Sequence, residues 1–211
     1  REANLFNNDK PPTLPLIPDR GGMQGFYGKS FFANFVYQNA KWDPRTFEAG
    51  AAVAAAADVA KSVDSTDPDL RPFKKRGGKI IHYHGWGDVA LTPLNSIAYY
   101  NEVKTKVGGD IHDFYRLFMV PGMGHCGGGP GATQFGAYVD PPVIDADHDL
   151  LAALERWVEH GVAPDQIIAT HFVDGDPTRG VAFQRPLCIY PKVAHYDGKG
   201  DANKAGSFTC R

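Results

Sequence analysis

Two short segments hold the residue types that acid–base chemistry requires. His84-Gly85-Trp86-Gly87-Asp88 places a carboxylate just past one apolar run, and Pro121-Gly122-Met123-Gly124-His125-Cys126 places an imidazole just past another. A histidine so held can take a proton from a nucleophile and return it to a leaving group. A carboxylate behind it fixes the tautomer and stabilises the imidazolium. Trp86 and Leu91 flank Asp88 and are candidates to line a substrate pocket. A rival reading uses His82 and His84, which share one strand face, with Asp88 and His125 as ligands of a hydrolytic metal. In a third, Asp88 is a turn residue and His125 a surface histidine in a non-catalytic α/β binding module. Gly122 to Gly127 also matches Gly-x-Gly-x-x-Gly, but no helix opens behind it and Pro130 interrupts, so a dinucleotide site is not expected. His148, His160, His171 and His195 follow no pattern and read as structural or surface residues.

For the two loops to meet, the runs before them must be neighbouring strands. Lys79–His84 reads as a short strand. Phe114–Val120 is apolar nearly throughout, as a strand buried on both faces should be. Between them Thr92-Pro93 opens a helix with an apolar stripe of Leu94, Ile97, Ala98 and Val103, ended by Gly108-Gly109. Strand, helix, strand with short connections predicts a parallel α/β sheet, and ligands in such sheets sit at the carboxyl ends of the strands. Both loops lie there.

A glycine-rich loop then runs from Pro121 to Gly136. Asp147 is expected to cap an amphipathic helix carrying Leu150, Leu151, Leu154, Trp157 and Val158, closed by Gly161; Gln166–Val173 and Val181–Tyr190 read as further β segments. Upstream, the prolines and glycines of residues 1–25 predict extended, turn-like chain. Phe26–Ala40 is aromatic-dense, either a short helix or a packed irregular cover. Asp43-Pro44 is expected to open a helix through the alanine run, and Asp67-Pro68-Asp69 to open another that Gly77-Gly78 ends.

The 211 residues are enough for one domain with a buried core. A hydrophobic content of 43% and an aromatic content of 12% exclude a disordered chain. Lys and Arg number 22 against 24 Asp and Glu, a net charge of −2, which argues against nucleic acid or an acidic membrane as partner. No stretch approaches the roughly 18 apolar residues that a spanning helix needs. The sequence opens at Arg1 without an apolar leader, so the expectation is that any signal peptide has been removed or lies outside it. Of three cysteines, Cys188 and Cys210 sit in the turn-rich tail and Cys126 sits beside His125. They read either as free thiols of a reducing compartment or as a tail staple plus one cysteine lacking its partner.

None of Ser30, Ser62, Ser65, Ser96 or Ser207 lies in a Gly-x-Ser-x-Gly elbow. In an α/β-hydrolase triad the chain order is Ser, Asp, His, so the nucleophile would stand well upstream of Asp88. Taken together, His84-Gly85-Trp86-Gly87-Asp88 and Gly122-Met123-Gly124-His125-Cys126, with Asp67-Pro68-Asp69-Leu70 and Gly77-Gly78-Lys79 ahead of them, resemble the tannase and feruloyl esterase family over roughly residues 25–210.

The resemblance implies an α/β fold, the C-terminal half of an α/β-hydrolase parallel sheet with the end of a lid segment. Residues 1–42 would be lid end and lead-in, and residues 43–211 the core. It implies a serine carboxylic-ester hydrolase for aromatic acid esters, with Asp88 as triad acid and His125 as base. Cys126 would be half of a bridge to a cysteine beside the catalytic serine, making the N-terminal part of the same enzyme its partner. Cys188 and Cys210 resemble the family's C-terminal bridge. A secreted or periplasmic location follows from such bridges, and the chain alone is expected to be inactive. The family's lid often holds calcium; no run of closely spaced acidic residues here resembles that loop, so no cofactor is expected in this chain. The choice among galloyl, feruloyl and terephthaloyl esters resembles a lid property.

Overall fold

The computed structural model describes residues 23–137 and 140–211, so most of the extended stretch expected at residues 1–25 lies outside the described residues, while residues 23–25 are helical instead. The described residues form two compact units, divided between Thr66 and Asp67. In the first, α1 (Met23–Phe31) runs on into a π turn over Phe32–Val36. The Phe32 ring lies 6.0, 5.7 and 5.1 Å from the rings of Tyr37, Trp42 and Phe47. Asp43 caps only a 3-10 turn, Pro44–Thr46, by accepting the Arg45 N–H at 3.0 Å. The alanine helix α2 (Ala49–Val63) starts separately, because Phe47 and Glu48 are both extended. It packs on the π turn of its own unit.

In the second unit a short α3 (Arg71–Lys75) precedes β1 (Ile80–Gly85), α4 (Pro93–Val107) and β2 (Tyr115–Val120). β1 and β2 are parallel, paired from Ile80 with Tyr115 to Gly85 with Val120, with α4 as the crossover. The period of two along β2 explains its continuous apolar run. Tyr115, Leu117 and Met119 bury against Tyr100 and Val103 of α4, while Phe118 and Val120 join Met123, Phe135 and Ala153. Each such fully buried side chain contributes about 1.5–3 kcal/mol of transfer free energy. A strand with both faces in a core is a firm base for whatever follows its last residue.

Beyond it come α5 (Leu150–His160), β3 (Gln166–Phe172), β4 (Val181–Cys188), β5 (Ala194–Tyr196) and β6 (Phe208–Cys210). Here the sequence expectations need correction. β3 and β4 pair antiparallel, as do β5 and β6, so the parallel arrangement is confined to β1 and β2. The β3–β4 link holds only residues 173–180, too few for the dozen or more that a parallel crossover needs. The cap of α5 is Asp149, whose carboxylate accepts the Ala152 N–H at 2.8 Å. Asp147 instead pairs with Arg156 at 3.1 Å. The helix buries Ala153 and Trp157, while Leu151 and Val158 of the expected stripe are exposed; in α4, Leu94 is likewise exposed. Cys188 and Cys210 are joined by a disulfide with Cα atoms 5.6 Å apart, which ties the end of β4 to the last strand.

Candidate active site

The two loops that carry Asp88 and His125 leave the carboxyl ends of adjacent parallel strands and are stitched together by main chain. Trp86 N–H donates to Val120 O at 3.0 Å and Gly87 N–H donates to Met123 O at 2.8 Å. The Met123 side chain is buried below, in the core shared by Phe118 and Val120. This places Asp88 Oδ2 2.9 Å from His125 Nδ1. The Asp88 side chain is only 4% exposed, whereas that of His125 is 48% exposed. His125 Nε2 has no hydrogen-bond partner among the described residues, so its second nitrogen is open to a reactant. Oδ1 of Asp88 accepts the N–H groups of Ala90 at 2.8 Å and Leu91 at 2.9 Å. Burial works to raise the Asp88 pKa, but the Leu91 N–H, the His125 ring and the Ala90 N–H outweigh it and hold the carboxyl below its ordinary value. Asp88 is therefore an ionised, immobilised acceptor. It can orient an imidazole and stabilise its charged form.

A cavity of about 430 Å³ opens over this pair, lined by His84, Asp88, Leu91, Met123, His125 and Cys126 among others. Leu91 borders it; Trp86 is nearly half exposed and does not. Cys126 is a free, exposed thiol held at φ 61°, a left-handed conformation, beside the histidine.

The histidines read as metal ligands take other partners. His82 Nδ1 meets the Tyr115 hydroxyl at 2.8 Å; its burial, and then His84 nearby, push its pKa down. His84 Nε2 lies 3.2 Å from the same Asp88 oxygen that His125 approaches, and His84 Nδ1 lies 2.7 Å from Ser96 Oγ. The two rings thus spend a nitrogen each on one carboxylate oxygen. Among the described residues no three His, Cys, Asp or Glu side chains stand so as to hold a metal ion. The contact of Ser96 with His84 was not legible in the sequence. Ser96 is the fourth residue of α4, far from any elbow motif, and only the packing of α4 beside β1 brings it to the ring.

The profile of the family described as "Tannase and feruloyl esterase" matches residues 22–211. The chain belongs to that family. Among its relatives is an uncharacterized esterase of Xanthomonas campestris pv. campestris, 39% identical over 214 residues, covering 90% of this chain and 37% of the relative. Another is a mono(2-hydroxyethyl) terephthalate hydrolase of Piscinibacter sakaiensis, 44% identical over 147 residues, with coverage of 69% and 22%. The solved structure of feruloyl esterase B from Aspergillus oryzae superposes with a TM-score of 0.78 at 30% identity, covering 88% of this chain and 37% of that one. This tannase and feruloyl esterase family chain therefore shares the fold of the part of feruloyl esterase B that it matches. It spans little more than a third of the length of such relatives.

Proposed function

We propose that this chain carries the acid and the base of a serine carboxylic-ester hydrolase acting on aromatic acid esters. The observation that carries the reading is the 2.9 Å contact of Asp88 with His125, made between loops at the ends of neighbouring parallel strands. It is supported by the names of the relatives, an esterase, a terephthalate-ester hydrolase and a feruloyl esterase. In this reading the fold is the C-terminal half of an α/β-hydrolase, with a lid ending within residues 1–42 and the core over residues 43–211. The nucleophilic serine belongs to a part of the family fold that these residues do not include.

His125 Nε2 takes the serine proton as its oxygen attacks the ester carbonyl, and returns it to the leaving alcohol. The resulting acyl-enzyme is cleaved by water that His125 activates in turn, which frees the acid and restores the serine. Asp88 stays ionised throughout and holds the ring. Cys126, one residue past the base and free in this chain, is the half-bridge to the serine segment, and Leu91 contacts the acyl group at the cavity rim. The disulfide supports a secreted or periplasmic setting, where such bonds persist. No cofactor is assigned to this chain; a structural calcium would belong to the rest of the lid.

The test is an assay of the chain with methyl ferulate, methyl gallate and mono(2-hydroxyethyl) terephthalate, alongside a serine-reactive phosphonate. No turnover and no phosphonate label are expected. Turnover that survives His125→Ala, or turnover that a chelator abolishes, would overturn the proposal in favour of other chemistry.

A further inference from the structure

The carboxylate of Asp88 is fully occupied. Its two oxygens receive four contacts: Ala90 N and Leu91 N on Oδ1, His125 Nδ1 and His84 Nε2 on Oδ2. That matches the roughly four lone-pair sites an ionised carboxylate offers. The fourth donor, His84, is the least explained of them. It is the next-to-last residue of β1, four residues before Asp88, its side chain is 12% exposed, and its other nitrogen faces Ser96 Oγ of α4 at 2.7 Å.

We propose that His84 is a positioning residue for the Asp88–His125 pair, held in its working tautomer by Ser96. The inference rests on Asp88 and His125 being the acid and base. Its logic is one of hydrogen-bond direction. An ionised Asp88 only accepts, so His84 facing it must carry its proton on Nε2. Nδ1 then bears a lone pair, which the Ser96 hydroxyl meets as donor. The opposite tautomer would aim a lone pair at a carboxylate. Two lines of donors thus converge on Asp88, one from Ser96 of α4 through His84 of β1 and one from His125 in the loop after β2. Ser96 does not line the cavity, so it stands behind the carboxylate and not at the reacting side.

Two consequences follow for the base. Oδ2 has no site left for water and the carboxylate cannot turn away from His125. In addition, two imidazole donors share the Asp88 charge, so removing one leaves more of it to the other. At 3.2 Å the His84 bond is longer than the 2.9 Å bond to His125, so it tempers the pair without replacing it. The other titratable groups at this site are Cys126 beside His125, the Tyr83 hydroxyl, and His82 next to His84 on the strand face. Tyr83 is held protonated by burial and then by Cys126, and His82 is held neutral, so neither competes for Asp88.

The test is an NMR titration of the ¹⁵N-histidine-labelled chain, wild type and variants. In the wild type His84 should show a single neutral tautomer, protonated on Nε2. His84→Phe should raise the His125 pKa by about half a pH unit, a roughly threefold gain in proton affinity. His84→Gln, whose amide N–H reaches the place of Nε2, should restore the wild-type value. Ser96→Ala should leave His84 in mixed tautomers and move His125 in the same direction by less. A His84 protonated on Nδ1 in the wild type would overturn the inference even if the phenylalanine variant does not fold. So would a His125 pKa that ignores His84→Phe, or that His84→Gln fails to restore. Asp88→Asn separates the two readings. If it leaves His125 unmoved, the acid–base pair itself fails; if it lowers the His125 pKa while His84→Phe changes nothing, only the role of His84 falls.

Discussion

The carbonyl oxygen of Met123 fills the space where a side chain at Gly85 would stand. A Cβ built on Gly85 lies 2.4 Å from Met123 O and 2.5 Å from Gly124 O, backbone atoms that cannot step aside. The same Met123 carbonyl accepts the Gly87 N–H, so the loop that carries Asp88 and the loop that carries His125 share a wall of main chain. Gly85→Ala should therefore part the loops. The expected cost is about 1–3 kcal/mol, as for other overpacked sites. It should also weaken the Asp88–His125 contact. Urea denaturation gives the first, and loss of the low-field Nδ1 proton resonance of His125 gives the second. An alanine variant as stable as wild type would mean the two backbones are not in this contact.

The lowered pKa of Asp88 makes stability pH-dependent in a defined direction. A carboxyl whose folded pKa lies below its unfolded value, ordinarily about 3.9, adds stability above that value and loses it as pH falls through the folded one. Wild type should thus lose more stability than Asp88→Asn between neutral pH and the acid end, and their urea midpoints should converge there. Parallel curves over that range would contradict it.

The tail disulfide closes a loop of sequence separation 22, worth about 3 kcal/mol in the chain-entropy account. Cys188 is buried at the end of β4, so replacing it also removes core packing. Cys210→Ser with Cys188→Ala should lower the thermal midpoint by several degrees. Calorimetry in the absence of reductant measures it, and an unchanged midpoint would show that β5 and β6 hold without the staple.

Cys126 should be the sole thiol that reacts in the folded chain without reductant, since it is exposed and the other two cysteines are bonded. Intact-mass alkylation should add one label before reduction and three after reduction in denaturant. Addition at any other cysteine, or none at Cys126, would count against the arrangement at the base.

Some of this architecture is local and was legible in the residues. The Phe114–Val120 run, apolar but for Arg116, declares a strand buried on both faces, because only such a strand carries apolar side chains on both of its alternating sides. The parallel pairing of β1 with β2 follows from the helix between them, and parallel strands put both loops at one end. From that, Asp88 and His125 arrive at the same place without any knowledge of distance. Spacing alone left Cys188 and Cys210 open between thiols and a bond, and the family resemblance pointed to the bond; the 5.6 Å separation that allows it comes from β6 folding back toward β4.

What only the tertiary structure decided are the directions in which side chains spend their polar atoms. The sequence shows His82, His84, Asp88 and His125 as four possible ligands. The packed chain turns His82 to the Tyr115 hydroxyl and brings His84 and His125 to one oxygen of Asp88. The same holds for Asp149, which caps α5 while Asp147 reaches Arg156, and for Ser96, brought to His84 by the docking of α4. Strand and helix formation depend on periodicities a few residues long, which a sequence displays. Which donor meets which acceptor depends on register, rotamer and helix placement across dozens of residues, and burial then enforces the pairing because an unpaired polar group in the core is costly.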